Sequence, residues 1–257
     1  MSRLSPFNVI ELSQTDSTFT RLRTLAESDP SLPSGTLLTT SYQTHGRGQA
    51  GNSWYSSPGL NLLPSLFLKD FTLPTDQIWS LSEMIALAVA DTISYCYTGD
   101  KPIQIKWPND ILLGGKKISG ILISTNLEAG ATRVNQMIAG IGINVNEPAF
   151  PPDLPLATSL AIETKREWSL MPILSSLENN ISRYYDILFA PQGATLLHSA
   201  YLDRLFLCGK PGSFRDTGTG ECFPGVLQGV SPQGDLLLTT DKGEDRAYHF
   251  KEVAYLF

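Results

Sequence analysis

Lys106, Asp110 and Lys117 are the residues of this 257-residue chain whose types and spacing point most directly to chemistry. They stand in the stretch Lys106-Trp107-Pro108-Asn109-Asp110-Ile111-Leu112-Leu113-Gly114-Gly115-Lys116-Lys117-Ile118-Ser119-Gly120. Two ammonium groups suit anionic oxygens and a carboxylate suits a divalent cation, so the three together fit a polyphosphate. To meet one ligand they must share a face. Two adjacent glycines supply the positive φ angles of a tight hairpin turn, and the flanking residues read as short strands. Such a turn pairs Leu113 with Lys116, Leu112 with Lys117, Ile111 with Ile118 and Asp110 with Ser119. Alternation then puts Lys106, Asp110, Leu112, Lys117 and Ser119 on one face and Trp107, Ile111 and Ile118 on the other. Lys117 lies diagonal to Asp110 at roughly 7–8 Å. Lys106, four residues earlier and about 13 Å away at strand rise, must lean along the strand to join them. Charge pattern alone also fits an exposed hairpin face that happens to carry lysines.

A second word stands upstream: Gln43-Thr44-His45-Gly46-Arg47-Gly48-Gln49-Ala50-Gly51-Asn52-Ser53-Trp54. Glycines let the backbone approach a ligand, and their N–H groups can hold phosphate oxygens, although most short glycine-rich segments are simply turns. Together with Lys-Trp-Pro-Asn-Asp and Lys-Ile-Ser-Gly-Ile-Leu, this segment resembles the signatures of biotin protein ligases, in the family's order and spacing. The resemblance covers most of residues 7–165 by motif and the remainder by general pattern.

That resemblance implies an α+β fold, with a mixed sheet and helices on one side like the catalytic core of class II aminoacyl-tRNA synthetases. A small C-terminal β barrel of SH3 type would follow. It further implies ATP-dependent activation of biotin as biotinyl-5′-AMP, release of pyrophosphate, and transfer to a lysine of a biotin carboxyl carrier domain. In this reading Lys117 touches the biotin carboxylate and the α-phosphate, Arg47 and Lys106 neutralise phosphate charge, and Asp110 holds Mg²⁺ or orients the acceptor amine. Biotin would lie against Ser17, Thr18, Gln43, Gly46, Arg47, Lys117, Gly120, Gly140 and Gly142. ATP would lie against Arg47, Gln49, Trp54, Lys106, Asn109, Lys117 and Asn144. Three residues depart from the family pattern: Phe19 replaces an asparagine, while Gln49 and Asn52 replace basic residues of the loop.

The rest of the chain must position these groups. Phe7–Leu12 alternates like a strand, and Asp16 or Ser17 is placed to cap a helix carrying Leu22, Leu25 and Ala26. Capping alone would account for Ser17 and Thr18. Residues 36–42 and 60–68 read as strands, the second interrupted by Pro64, which predicts a bulge or an edge. Residues 76–97 repeat Ile78, Leu81, Ile85, Ala88, Val89 and Ile93 at helical spacing. Residues 134–146 form a strand whose alternate positions Gly140 and Gly142 lack side chains, leaving room for a flat ligand or for close packing of another element. Trp54 suits stacking on adenine and core packing about equally. Helices are predicted over 172–188 and 191–205, each with an early proline. Gly209-Lys210-Pro211-Gly212 then divides a catalytic domain, 1–208, from a β domain, 209–257, with strands over 222–230, 236–240 and 246–250.

A net charge of −6 argues against broad contact with nucleic-acid phosphates, which need clustered Lys and Arg. Hydrophobic residues at 42% and charged residues at 17% describe a globular chain, not a disordered one. Cys96, Cys208 and Cys222 show no paired spacing, so neither disulfides nor zinc is expected and a reducing cytoplasm fits. Neither a secretion signal nor a membrane span is expected, and too few residues precede Phe7 for the helix-turn-helix of repressor members of the family. His45, His198 and His249 form no cluster in the sequence. Strand patterns leave monomer and homodimer open. Competing readings are a lipoate ligase or octanoyl transferase of the same fold, and a non-catalytic binding module.

Overall fold

The computed structural model describes residues 4, 6–126 and 130–256. Its larger sheet contains β1 (Asn8–Leu12), β2 (Thr36–Thr40), β3 (Ser65–Pro74), β4 (Ile103–Lys106), β5 (Asp110–Leu113), β6 (Lys116–Thr125) and β7 (Arg133–Ile143). The spatial order is β1-β2-β3-β7-β6-β5-β4. β1 and β2 run parallel and the other neighbours antiparallel, so the sheet is mixed.

Alternation along the central strands sorts their side chains into two clusters. Leu37, Leu66, Leu68, Met137, Ala139 and Ile141 join α2 (Trp79–Cys96), α4 (Leu170–Leu188) and α5 (Gly193–Leu202) in the main core. Leu38, Phe67 and Ile138 point the other way, onto Phe19 and Leu22 of α1 (Thr18–Ser28). Helices therefore cover both faces of the sheet, not one as the resemblance implied. Burying each of these leucines and isoleucines contributes roughly 1.5–3 kcal/mol. α2 is buried almost all round because it lies between the sheet and two further helices. Asp91 of α2 ties that layer together, accepting from the Tyr184 hydroxyl at 2.8 Å and pairing with Arg204 at 2.6 Å and with Arg183.

Several boundaries differ from the sequence reading. β3 begins after Pro64, whose missing donor ends the preceding segment, and its irregular register falls at 69–73 around Asp70 (φ +62°). α5 starts at Gly193 and stops at Leu202, shorter than expected, and a short α3 (Leu160–Thr164) capped by Ser159 was not foreseen.

The second sheet contains β8 (Pro211–Asp216), β9 (Cys222–Val230), β10 (Leu236–Thr240), β11 (Asp245–Tyr248) and β12 (Val253–Leu256), all antiparallel in the order β11-β10-β9-β8-β12. Sequence reasoning missed β8 and β12. Phe214, Leu227, Leu236 and Leu238 of this sheet continue the same apolar core as α2 and α5. The seam is specific: Trp107 Nε1–H donates to the Gly234 carbonyl at 2.9 Å, and Gly234 rests on Trp79, whose ring a Cβ would meet at 2.6 Å. Among the described residues no helix is long and apolar enough to cross a membrane.

Candidate active site

Gly114 and Gly115 both adopt positive φ, +58° and +81°, and close the β5–β6 hairpin. Leu113 faces Lys116 and Leu112 faces Lys117, as the turn predicts. Beyond them the register slips, so that Ile111 faces Ser119 and Asp110 faces Gly120. The expected pairs Ile111–Ile118 and Asp110–Ser119 are not formed, because Ile118 is the extra residue of a bulge. Strict alternation would send residues 117 and 120 to opposite faces, and the bulge brings them to one. Lys117 Cε accordingly lies 3.2 Å from where a Cβ on Gly120 would stand. Its ammonium pairs with Asp110 Oδ1 at 2.6 Å.

Lys106 arrives by a different route from the one expected. The chain reverses at Trp107-Pro108-Asn109, and Lys106 sits directly opposite Asp110 across β4 and β5. Its Nζ is 5.2 Å from the centre of the Tyr255 ring in the second sheet, and Lys106 does not line the cleft. Burial draws this ammonium below the ordinary lysine range, Asp110 opposes the shift, and the charge of Lys117 adds to it. Asn109 is pinned by donating to the Ile121 carbonyl at 2.6 Å and does reach the cleft.

The cleft opens on the α1 face of the sheet. Its floor is the glycine strip. Gly120 and Gly142 are paired across β6 and β7, and Gly140 lies two residues back. The Trp54 indole packs against this floor: a Cβ on Gly142 would meet it at 2.4 Å and one on Gly120 at 2.8 Å. Nothing fits between indole and floor in this arrangement, so a flat ligand must displace Trp54. The indole also stands 5.5 Å from Lys117 Nζ, within cation–π range. Phe19 covers Gly140 in the same manner, at 3.2 Å from its would-be Cβ, which explains how a bulky residue is accommodated where the family pattern has asparagine.

Residues 46–54 form the flap above. Trp54 N–H donates to the Gly46 carbonyl, Arg47 bridges Ser53, and Gly48 N–H donates to the Asn52 carbonyl at 2.7 Å. Gly46 is buried at the stem, where a Cβ would strike the Trp54 carbonyl at 2.7 Å. Arg47 and Gln49 both line the cleft. One wall comes from the start of α1. Ser17 caps that helix, accepting from Thr20 N–H across a long 3.5 Å, which leaves its hydroxyl proton to donate elsewhere. Gln43 Oε1 accepts from both the N–H and the hydroxyl of Thr18, at 2.8 and 3.1 Å, and Ser65 donates to Thr18 Oγ1 at 2.9 Å. Capping and cleft lining are thus compatible at this turn.

Asn144 does not line the cleft: it is buried, with its amide donating to the Thr158 carbonyl at 3.0 Å. Sequence reasoning also passed over Ser65 and Glu147. The buried Glu147 carboxylate accepts from Ser57 N–H and Oγ–H at 3.0 and 2.8 Å and from Asn61 Nδ2–H at 2.8 Å, fixing the far stem of the flap. A loop over 148–155 with four prolines follows directly, and its Phe150 meets Tyr55, the residue after the flap, edge to face at 6.2 Å. The donors to Glu147 lie 86–90 residues away in sequence, so no local pattern announces it.

The model of the biotin/lipoate A/B protein ligase family matches residues 11–144. The chain belongs to this family. Among curated relatives, the bifunctional ligase/repressor BirA of Bacillus subtilis is 34% identical over 223 residues, covering 84% of this chain and 65% of that protein. This family member therefore spans just under two thirds of that relative's length. Biotin–[acetyl-CoA-carboxylase] ligase of Paracoccus denitrificans is 29% identical over 245 residues, 90% of this chain and 94% of the relative. The biotin protein ligase from Aquifex aeolicus, solved in complex with biotin and ATP, superposes with a TM-score of 0.77 at 26% identity, covering 97% of this chain and 98% of that one. The α+β architecture expected from the sequence, mixed sheet followed by a small β sheet, is the one shared with that structure.

Proposed function

We propose that this family member is an ATP-dependent biotin protein ligase that makes biotinyl-5′-AMP and passes biotin to a lysine of a biotin carboxyl carrier domain. The observation that carries the reading is the Lys117 ammonium, held by Asp110 beside a bare glycine floor and beneath a flap bearing Arg47. A carboxylate and a triphosphate repel each other, so the reaction needs positive charge and positioning more than covalent help. Lys117 is placed to meet the carboxylate and the α-phosphate. A biotin carboxylate oxygen then attacks the α-phosphorus, the bond to the β-phosphate oxygen breaks, and pyrophosphate leaves with the electron pair. Arg47 faces the phosphates from the flap, while Lys106, opposite Asp110 across the hairpin, adds its charge to that carboxylate. The Ser17 hydroxyl and the Thr18–Gln43 pair suit the ureido group, whose carbonyl accepts and whose N–H groups donate.

In the second step a neutral lysine amine attacks the anhydride carbonyl, the carbon–oxygen bond to phosphate breaks, and AMP departs. Asp110 or water takes the amine proton. Among the described residues no group of three or more His, Cys, Asp or Glu side chains is gathered to hold a metal. Asp110 would be the residue to hold Mg²⁺ brought by ATP, which would offset phosphate charge there. We place the domain boundary at residue 209, so that 1–208 carries the cleft and 209–257 buttresses Trp79, Trp107 and Lys106. The deciding experiment is ATP–pyrophosphate exchange with biotin, lipoate or octanoate as the acid. Exchange with biotin alone supports the assignment, and exchange with lipoate alone, or none with any acid, overturns it.

A further inference from the structure

We infer that Phe19 is a specificity-determining residue of the cleft: it ends the glycine floor with an apolar wall and selects an acid whose ring system carries an apolar edge on that side. The inference rests on the ligase reading above and concerns which acid is taken, not how it is activated.

Three strands cross beneath Phe19. Ser65, Gly140 and Leu122 stand directly opposite one another on β3, β7 and β6, so they share the α1 face. The row changes from polar to apolar along its length. At one end the Ser65 hydroxyl donates to Thr18 Oγ1, and the Thr18 hydroxyl donates to Gln43. At the other end Leu122 packs on the cluster of Phe19, Leu22, Leu38, Phe67 and Ile138. Gly140 is the gap between them, and the Phe19 ring stands in it, 3.2 Å from where a Cβ would be. Of the glycine strip, Gly120 and Gly142 are then left for a ligand.

Trp54 and Phe19 both cover this floor, but they differ in what holds them. Trp54 is half-buried and hangs from the flap, whereas Phe19 is buried at the first turn of α1 with four apolar side chains around it. A flat group can lift the indole, and the phenyl ring stays. A ring system lying on Gly120 and Gly142 therefore meets two kinds of wall at the Gly140 end. Ser17, Thr18 and Gln43 can exchange hydrogen bonds with one edge, and the side chains of Phe19 and Leu122 offer none to the other. Biotin has this division, with a ureido edge that donates and accepts and a thioether edge that does neither strongly. Divalent sulfur against an aromatic ring is a favourable contact. An oxygen added to that sulfur would be buried against Phe19 without a donor, and burying an unpartnered acceptor is costly. An amide at position 19, the residue type of the family pattern, would supply the missing donor.

The test compares biotin with biotin sulfoxide, which differ by that one oxygen, as the acid in ATP–pyrophosphate exchange. The parent protein is expected to favour biotin by about 30-fold in kcat/KM, the scale of one unsatisfied buried acceptor. In Phe19→Asn the ratio should fall to within about threefold, whereas Phe19→Leu, which keeps the wall apolar, should hold it above about tenfold. Phe19→His, which keeps a ring over Gly140 and adds an N–H, is made alongside, so that the answer does not depend on Phe19→Asn folding. Both acids are measured on one sample, and a loss of folded protein cancels from the ratio. A parent ratio near one overturns the inference, as does a parent preference that the polar variants leave unchanged. Absence of exchange with biotin in the parent would instead strike the ligase reading itself.

Discussion

On the face of the sheet that meets α2, α4 and α5, β7 presents Met137, Ala139 and Ile141, each buried in the main core. On the opposite face the same strand presents Ile138 and then, at the next two positions, Gly140 and Gly142. One strand thus supplies core and cleft floor by the period-two alternation of its side chains. The difference lies in what is left out. Full side chains make a surface that only other side chains can cover, whereas two glycines make a surface open to any flat group. In this structure the cover is Trp54 and Phe19. The β6 bulge completes the contrast by turning Lys117 toward the bare side while Ile118 stays in the core.

Restoring a side chain to the floor should separate catalysis from stability most sharply. Gly142→Val puts methyls where the indole lies, 2.4 Å from the first added atom, and should lower biotin-dependent pyrophosphate exchange by about 100-fold. A thermal melt of the same protein should stay close to that of the parent, and a collapse in melting temperature would show that the floor is packing surface after all. The converse change is Leu66→Ala on the helix side, expected to cost about 2–5 kcal/mol in denaturant unfolding while the folded fraction keeps its exchange rate.

Smaller effects should come from the flap. Glu147→Gln places an amide against three donors and should weaken the flap stem by about 1–3 kcal/mol. Its mark would be faster release of biotinyl-adenylate with little change in biotin affinity, read by trapping free adenylate during turnover. Gln49→Arg adds charge where only a neutral amide now faces the cleft, and should slow that leakage by about fivefold, as a charge-assisted bond replaces a neutral one. Unchanged leakage in both variants would separate the flap from retention of the intermediate.

Much of the site could be read directly because its elements are local. Gly114-Gly115 sets a turn, the turn sets which lysine meets which aspartate, and alternate glycines in residues 140–142 set a floor. What escaped depends on tertiary context. No residue type marks Ile118 as a bulge, and the reversal at Trp107–Asn109 turned an assumed continuous strand into a hairpin that backs Lys106 onto Tyr255. α1 shows only Phe19 and Leu22 as strongly buried apolar anchors, too few to reveal that it covers the second face. β12 pairs with β8 across a separation of some forty residues, so it carries no hairpin signal of its own, whereas β8 also forms a hairpin with β9 that sequence reasoning passed over.

The account rests most heavily on the lysine above the glycine floor. The measurement that bears on it most directly is biotin-dependent ATP–pyrophosphate exchange by Lys117→Ala, with circular dichroism confirming that the variant is folded. A loss of about 100–1,000-fold is expected, the scale of removing one group that stabilises developing charge. Exchange at the parent rate by the folded variant would contradict the mechanism.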